Sequence, residues 1–415
     1  MTLSARILRN RYFLLVVVAL LFSQSIFAQG VKFLNTDFDK LIAEAKRQNK
    51  LAFVEVYLNG CPHCEALAPV LTDKKVGDYY NPRFVSMKVE ANSALSKALQ
   101  NKQKLFYPEF PLLFYFDATG KLLHQATPAE KPNRTEFIEE VIRHAADAQS
   151  PEVRTSSYPT RYAQGERSVD FLIKYARYAQ ATRDTTLVIA IAGDLGKLFT
   201  QPTDLESTAG FYIISRLIPD FQNPMARYFF GHLDTYRSKH GTQPTQQAGE
   251  SILFQTLYGK KSATLSSSDV VAVRQAMESL GIPANVAAMR TILKELEAYF
   301  RESNTAAATA RFDECRRANA LSLQDYAYLV RFFNERATDT SHAAPLVGWV
   351  NDALASLPPA DRNKAEVAEL YREQSEAYRR LDNKTEGKKA AEKALSIAKI
   401  AKVKLDSFVK QVGKF

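Results

Sequence analysis

Two cysteines separated by two residues, Cys61 and Cys64, are the side chains here best suited to covalent chemistry. A thiol exchanges disulfides only as the thiolate, and a free cysteine is mostly protonated near neutral pH. A helix N-terminus carries unpaired N–H groups and a partial positive charge, both of which favour the thiolate. The two-residue spacing places the second sulfur one turn further on, near enough to close a disulfide with the first. Pro62 falls at the first helical position, where a missing N–H costs nothing. His63 adds a neighbour that is cationic when protonated. The same spacing also serves as half a zinc site, which requires two further ligands. The remaining cysteine is Cys315, and no histidine stands at a spacing that completes such a site.

The elements that must hold this pair can be read on either side of it. Leu51–Leu58 is an apolar run with the character of a buried strand, ending at Asn59-Gly60. Glu55 sits in the middle of that run. Phe53 and Tyr57 share its side of the strand, so the carboxylate is expected to be buried and to hold its proton to higher pH, which suits proton transfer. Pro111 stands directly before a second apolar run, Leu112–Phe116. A proline cannot donate to a sheet ladder, so it is expected at the first residue of the strand, where a cis Phe110–Pro111 bond would be a specified feature. Asp117-Ala-Thr-Gly120 then reads as a hairpin turn.

A Cys-Pro-His-Cys run at a helix start, with Pro111 heading a later strand, resembles the thioredoxin superfamily. The resemblance covers residues 31–149 and implies an α/β thioredoxin fold for that part. It implies that Cys61 is the attacking thiol, Cys64 the resolving thiol and Pro111 the cis-proline lying against them, with Glu55 relaying protons to the resolving cysteine. It further implies disulfide exchange with protein thiols and disulfides, a redox partner protein, and no dissociable cofactor or metal. Val76, Tyr79, Asn81 and Phe84 are similar to the pattern following the active site in domains like the C-terminal domain of DsbD, a mostly reductive branch. The Pro-His dipeptide resembles the oxidising DsbA instead, with His63 tuning the thiolate. The direction of electron flow is therefore left open. Asn59-Gly60 also departs from both, which carry an aromatic residue just before the first cysteine.

The expected order in this part is a short strand at 31–34, a helix Thr36–Asn49 opened by a capping box of Thr36 and Asp39, the strand with Glu55, and a helix from Pro62 to Leu71. A short helix Asp73–Tyr80, a strand Phe84–Val89 and a helix Ser93–Lys104 follow. The hairpin comes next, and then a helix capped by Asn133. Residues 1–28 read as a secretory signal: Arg6, Arg9 and Arg11, the apolar run Tyr12–Phe22, and a cleavage site ending at Ala28. Ile26 is large for its place, so an uncleaved anchor is the alternative. Export, with the periplasm as the expected compartment and no stable membrane insertion after cleavage, fits a chain whose few cysteines form a working pair.

The domains are expected at 29–149, a polar linker at 150–160, and a helical region at 161–415. Helix follows helix from Ser168 to Lys399 with short polar breaks, which suggests an α-solenoid. Tyr371, Tyr378, Gly387 and Ala394 fall near the spacing of a tetratricopeptide repeat, with Gly387 where alanine is usual. An irregular helical bundle gives the same periodicity. The hydrophobic content of 46% is ample for ordinary cores in two or three domains. The net charge of +10 falls to +7 once the three arginines of residues 1–28 are set aside. It is scattered rather than gathered with aromatics on a face, so nucleic acid is not an expected partner. Cys315 reads as a small buried helix residue, with an intermolecular disulfide as the alternative. Two functions fit: an exported thiol–disulfide oxidoreductase whose helical region binds protein, or a protein-binding scaffold whose thioredoxin part is only structural.

Overall fold

The computed structural model describes residues 30–415, and the expected secretory segment lies outside them. The chain divides into two compact units, Met1–Phe199 and Thr200–Phe415. The first is built around strand β1, Leu51–Tyr57, whose five interior residues are all buried. It is apolar apart from Glu55 because it has neighbours on both edges and helices on both faces. β2 (Phe84–Glu90) runs parallel to it with Leu51 opposite Phe84. β3 (Leu112–Phe116) runs antiparallel with Val56 opposite Leu112. β4 (Leu122–Ala126) pairs antiparallel with β3 and completes the order β2-β1-β3-β4. This small mixed sheet is compatible with the thioredoxin-like arrangement expected from the sequence.

Five helices attend the sheet: α1 (Phe38–Gln48), α2 (Pro62–Leu71), α3 (Lys74–Tyr80), α4 (Ala94–Gln103) and α5 (Arg134–Gln149). Side chains alternate along a strand, so β1 feeds two cores. Ala52, Val54 and Val56 pack with Phe38 and Leu41 of α1 and Leu99 of α4. Phe53 faces the other way, onto Leu67 and Val70 of α2, Tyr80 of α3, and Val141 and Ala145 of α5. Glu55 shares the side of Phe53, beneath the helix that carries the cysteines. The β3–β4 turn follows expectation: Asp117 accepts from Thr119 and Lys121, and Gly120 supplies the left-handed φ of 86°.

Several boundaries differ from the reading of the sequence. The strand expected at 31–34 is a single bridge between Phe33 and Ser86. Helix α1 is capped by Asp37, which accepts from Lys40 N–H, so the expected Thr36 capping box does not form. Both candidates are good cap residues, and only the entry angle of the chain separates them. The stretch 150–160 is folded rather than a linker: a 3₁₀ turn at Thr155–Ser157 leads into helix α6 (Tyr158–Ala163). Thr155 is buried against edge strand β4, its N–H donating to His124 Nδ1 and its hydroxyl accepting from Gln125 N–H. An edge strand left bare is a liability, and this turn covers it. Two further helices, α7 (Val169–Ala181) and α8 (Thr185–Leu198), also belong to the first unit, with Ala181 buried in its core. The helical region thus begins inside the unit that carries the sheet.

Among its described residues the second unit has helices only, from Pro202–Leu205 to Asp406–Val412. One of its cores gathers Phe312, Phe333 and Trp349, their rings 4.6 to 5.6 Å apart. The helices Pro224–Gly231 and Leu233–His240 are separated by a break at His232. Gly387 has a packing reason: a Cβ there would run into the ring of Phe415.

Candidate active site

Chain direction delivers the cysteines to the surface. β1 runs out into Asn59-Gly60, where Gly60 at φ 73° turns the backbone and Cys61 N–H donates to Leu58 carbonyl at 3.2 Å. Cys61 becomes the cap residue of α2, extended at φ −84° and ψ 116°, with Pro62 opening the helix. Its thiol makes no cap bond, so the N–H groups of the first turn stay available to a thiolate at that position. Cys61 is half-buried, Cys64 is buried one turn behind it, and both are free thiols.

The two sulfurs sit in different electrostatic surroundings. Burial pushes the Cys64 thiol up to about 12, helped by the Cys61 thiol and the Glu55 carboxylate, while a hydrogen bond from the Leu58 backbone opposes it. Below them, burial pushes Glu55 up to about 7, offset in part by Lys88, its neighbour across the parallel pair. Glu55 is only 5% exposed, and its charge acts on the buried Cys64 thiol above it. A carboxyl group that titrates near neutrality can take the Cys64 proton and return it.

Pro111 closes the site from the other side. The Phe110–Pro111 bond is cis, and the Cys61 thiol lies 3.9 Å from the Phe110 carbonyl, as donor to it. His63 is at the surface, its Nδ1 3.3 Å from a carboxylate oxygen of Glu130. Sequence reasoning did not single out Glu130 or the Phe110 carbonyl. Glu130 lies 67 residues from His63 and in no periodic element, so nothing local marks it. The cis-proline was itself the signal that could have pointed to the carbonyl preceding it.

No family model matches the chain. No curated protein matches it either. Among solved structures it is similar to a solution structure from Bacteroides thetaiotaomicron described as "a putative disulphide-isomerase". The match covers 28% of this chain and 94% of that one, at 24% identity and a TM-score of 0.24. At that similarity the chemistry has to be read from the residues themselves.

Cys315 is buried in the second unit, in the helix Thr305–Ala318, with its sulfur 3.7 Å from Met289 Sδ. Among the described residues one cluster has metal-ligand character, His124, His144 and Asp147, with donor atoms within 4.8 Å of one another. It includes neither cysteine. Its chemistry also opposes a cation. His124 Nδ1 accepts from Thr155 N–H, and burial pushes the ring's pKa down to about 3, so the neutral ring carries its proton on Nε2. That nitrogen then offers a metal no lone pair.

Proposed function

We propose that this chain is an exported thiol–disulfide oxidoreductase acting on protein clients, with Cys61 and Cys64 as its redox pair. The observation that carries this reading is the contrast between the two thiols. One is half-buried on a helix cap; the other is buried, pushed up to about 12, and lies above a carboxyl group pushed up to about 7. In the reductive direction the Cys61 thiolate attacks a client disulfide. The client S–S bond breaks, one client sulfur leaves as thiolate, and Cys61 holds the other in a mixed disulfide. Glu55 takes the proton of Cys64, whose thiolate attacks Cys61 Sγ and releases the second client sulfur. Two electrons pass from the cysteine pair to the client, and the Cys61–Cys64 disulfide remains. The oxidative direction is the same sequence reversed.

Direction is a matter of reduction potential, which equilibration of the mature chain with glutathione buffers would measure, using Cys315→Ser as control. A value on the order of −120 mV would make it an oxidase or isomerase, and one on the order of −270 mV a reductase supplied with electrons by a partner. Cys64→Ser is expected to trap clients as mixed disulfides stable on a reducing-agent-free gel, and Cys61→Ser to trap none. Failure to form any reversible disulfide would end the proposal. The periplasm is the proposed compartment, and the second unit, taken as tetratricopeptide-like, is the proposed binder of client or redox partner. One observation favours a protein-binding role for that unit: Phe254 and Tyr258 pair their rings at 5.0 Å while 63% and 55% exposed. The scaffold alternative would gain if binding persisted in a chain with no exchange activity.

A further inference from the structure

The hairpin of α7 and α8 lies beyond the expected thioredoxin-like span, yet it grips the segment that leads into Pro111. Phe106 N–H donates to the Ala181 carbonyl at 2.8 Å. Arg183, in the turn between the helices at φ 60°, donates from Nε to the Leu105 carbonyl at 3.0 Å. Arg177 meets the Glu109 carboxylate at 3.1 Å, both side chains largely shielded from water. Ala181 itself is fully buried in one core with Leu105 and Tyr107. A backbone carbonyl, a backbone amide and an acidic side chain of residues 105–109 are thus all held by one hairpin. The next residue is Phe110, whose carbonyl faces the Cys61 thiol.

We propose that the α7–α8 hairpin is a brace that fixes the Leu105–Pro111 segment beside Cys61, with Arg183 and Arg177 as positioning residues for a client polypeptide. This rests on the oxidoreductase reading. A polypeptide that approaches Cys61 must pass this segment, and a segment already in place need not be ordered at the moment of binding. Small disulfides that touch only the sulfurs gain nothing from it. The brace therefore acts on recognition and leaves sulfur chemistry alone.

The test uses the full mature chain with two substrates, an oxidised peptide disulfide and a small aromatic disulfide. Arg183→Met removes the donor and keeps the length of the side chain. It is expected to raise KM for the peptide on the order of tenfold with kcat little changed, the pattern of a lost binding contribution. The small-disulfide rate and the reduction potential should stay as in the unsubstituted chain. Arg183→Lys, which restores a donor, should recover the peptide KM. Should Arg183→Met fail to fold, Glu109→Gln loosens the other end of the grip and carries the same expectation. Equal losses on both substrates, or an unchanged peptide KM in a folded Arg177→Met/Arg183→Met chain, would overturn the brace. Absence of any exchange in the unsubstituted chain would instead remove the oxidoreductase reading, and the brace with it.

Discussion

Glu55 is where two demands meet. Its burial makes it a proton carrier near neutrality and also a burden on the fold. Its carboxyl group titrates near 7 in the folded chain against an ordinary 4.5, so the unfolded chain releases the proton first. Stability contributed by the protonated form is full below 4.5 and is lost as pH rises through 7. The gap corresponds to about 3 kcal/mol. Denaturant titrations at several pH values should show that loss in the unsubstituted chain and not in Glu55→Gln; parallel pH profiles for the two would refute it. The same substitution should slow release of the mixed disulfide at pH 7 on the order of 100-fold, as for a lost general base. The burial of Glu55, the helix-start position of Cys61 and Cys64, and the cis bond before Pro111 at the head of its strand could be read because residue type, strand alternation and helix punctuation each leave a local mark. The pairing of His63 with Glu130 leaves none, since it joins a helix to a loop far along the chain.

At the scale of elements, the paired strands and the helices that flank the cysteines could be read to within a few residues, because burial imposes a period on them, whereas the bridge at Phe33 and the folded stretch 150–160 could not. What fastens one element to another could not. Tyr80 of α3 and Tyr115 of β3 illustrate this: both are fully buried, with hydroxyls 2.8 Å apart, and Tyr80 donates onward to the Val141 carbonyl of α5 at 2.9 Å. Tyr115 is then the donor to Tyr80. Deleting the Tyr80 hydroxyl strands the buried Tyr115 donor, whereas deleting that of Tyr115 leaves only a lone pair unmet. Tyr80→Phe is expected to cost about 1–3 kcal/mol, clearly more than Tyr115→Phe, by chemical denaturation. Equal costs would reverse the donor assignment. Thr155 belongs to the same class. A serine- and proline-rich stretch gives the composition of a linker, and its role on β4 depends on partners about 30 residues away.

The whole molecule has two units with separate cores, and the sequence placed the change from sheet to helices but not the division between units. Helical periodicity is the same on both sides of Phe199, so it cannot tell which helices pack on the sheet. Charge patterning was equally mute about the interior of the second unit. Glu295, between Lys294 and Leu296, is fully buried, bonded to Arg311 at 2.6 Å, Arg274 at 2.9 Å and the Thr291 hydroxyl at 2.8 Å. Glu295→Ala leaves two guanidinium groups without their shared partner and is expected to destabilise the second unit by about 3–5 kcal/mol. Separate cores predict separate transitions in calorimetry. Glu295→Ala should lower the one belonging to the second unit, and Tyr80→Phe the other. A single transition moved by both would show that the units unfold together.

Cys315 gives that comparison a reporter of its own. It is 1% exposed, and burial pushes its thiol up, so a thiol-modifying reagent meets it only when the surrounding helices part. Added to the folded chain, such a reagent would label half-buried Cys61 first, while buried Cys64 and Cys315 would each react at the pace of opening in their own unit. Mass spectrometry that follows the label on the Cys315 peptide alone would then serve as a clock for the breathing of the helical unit, with no dye and no substitution.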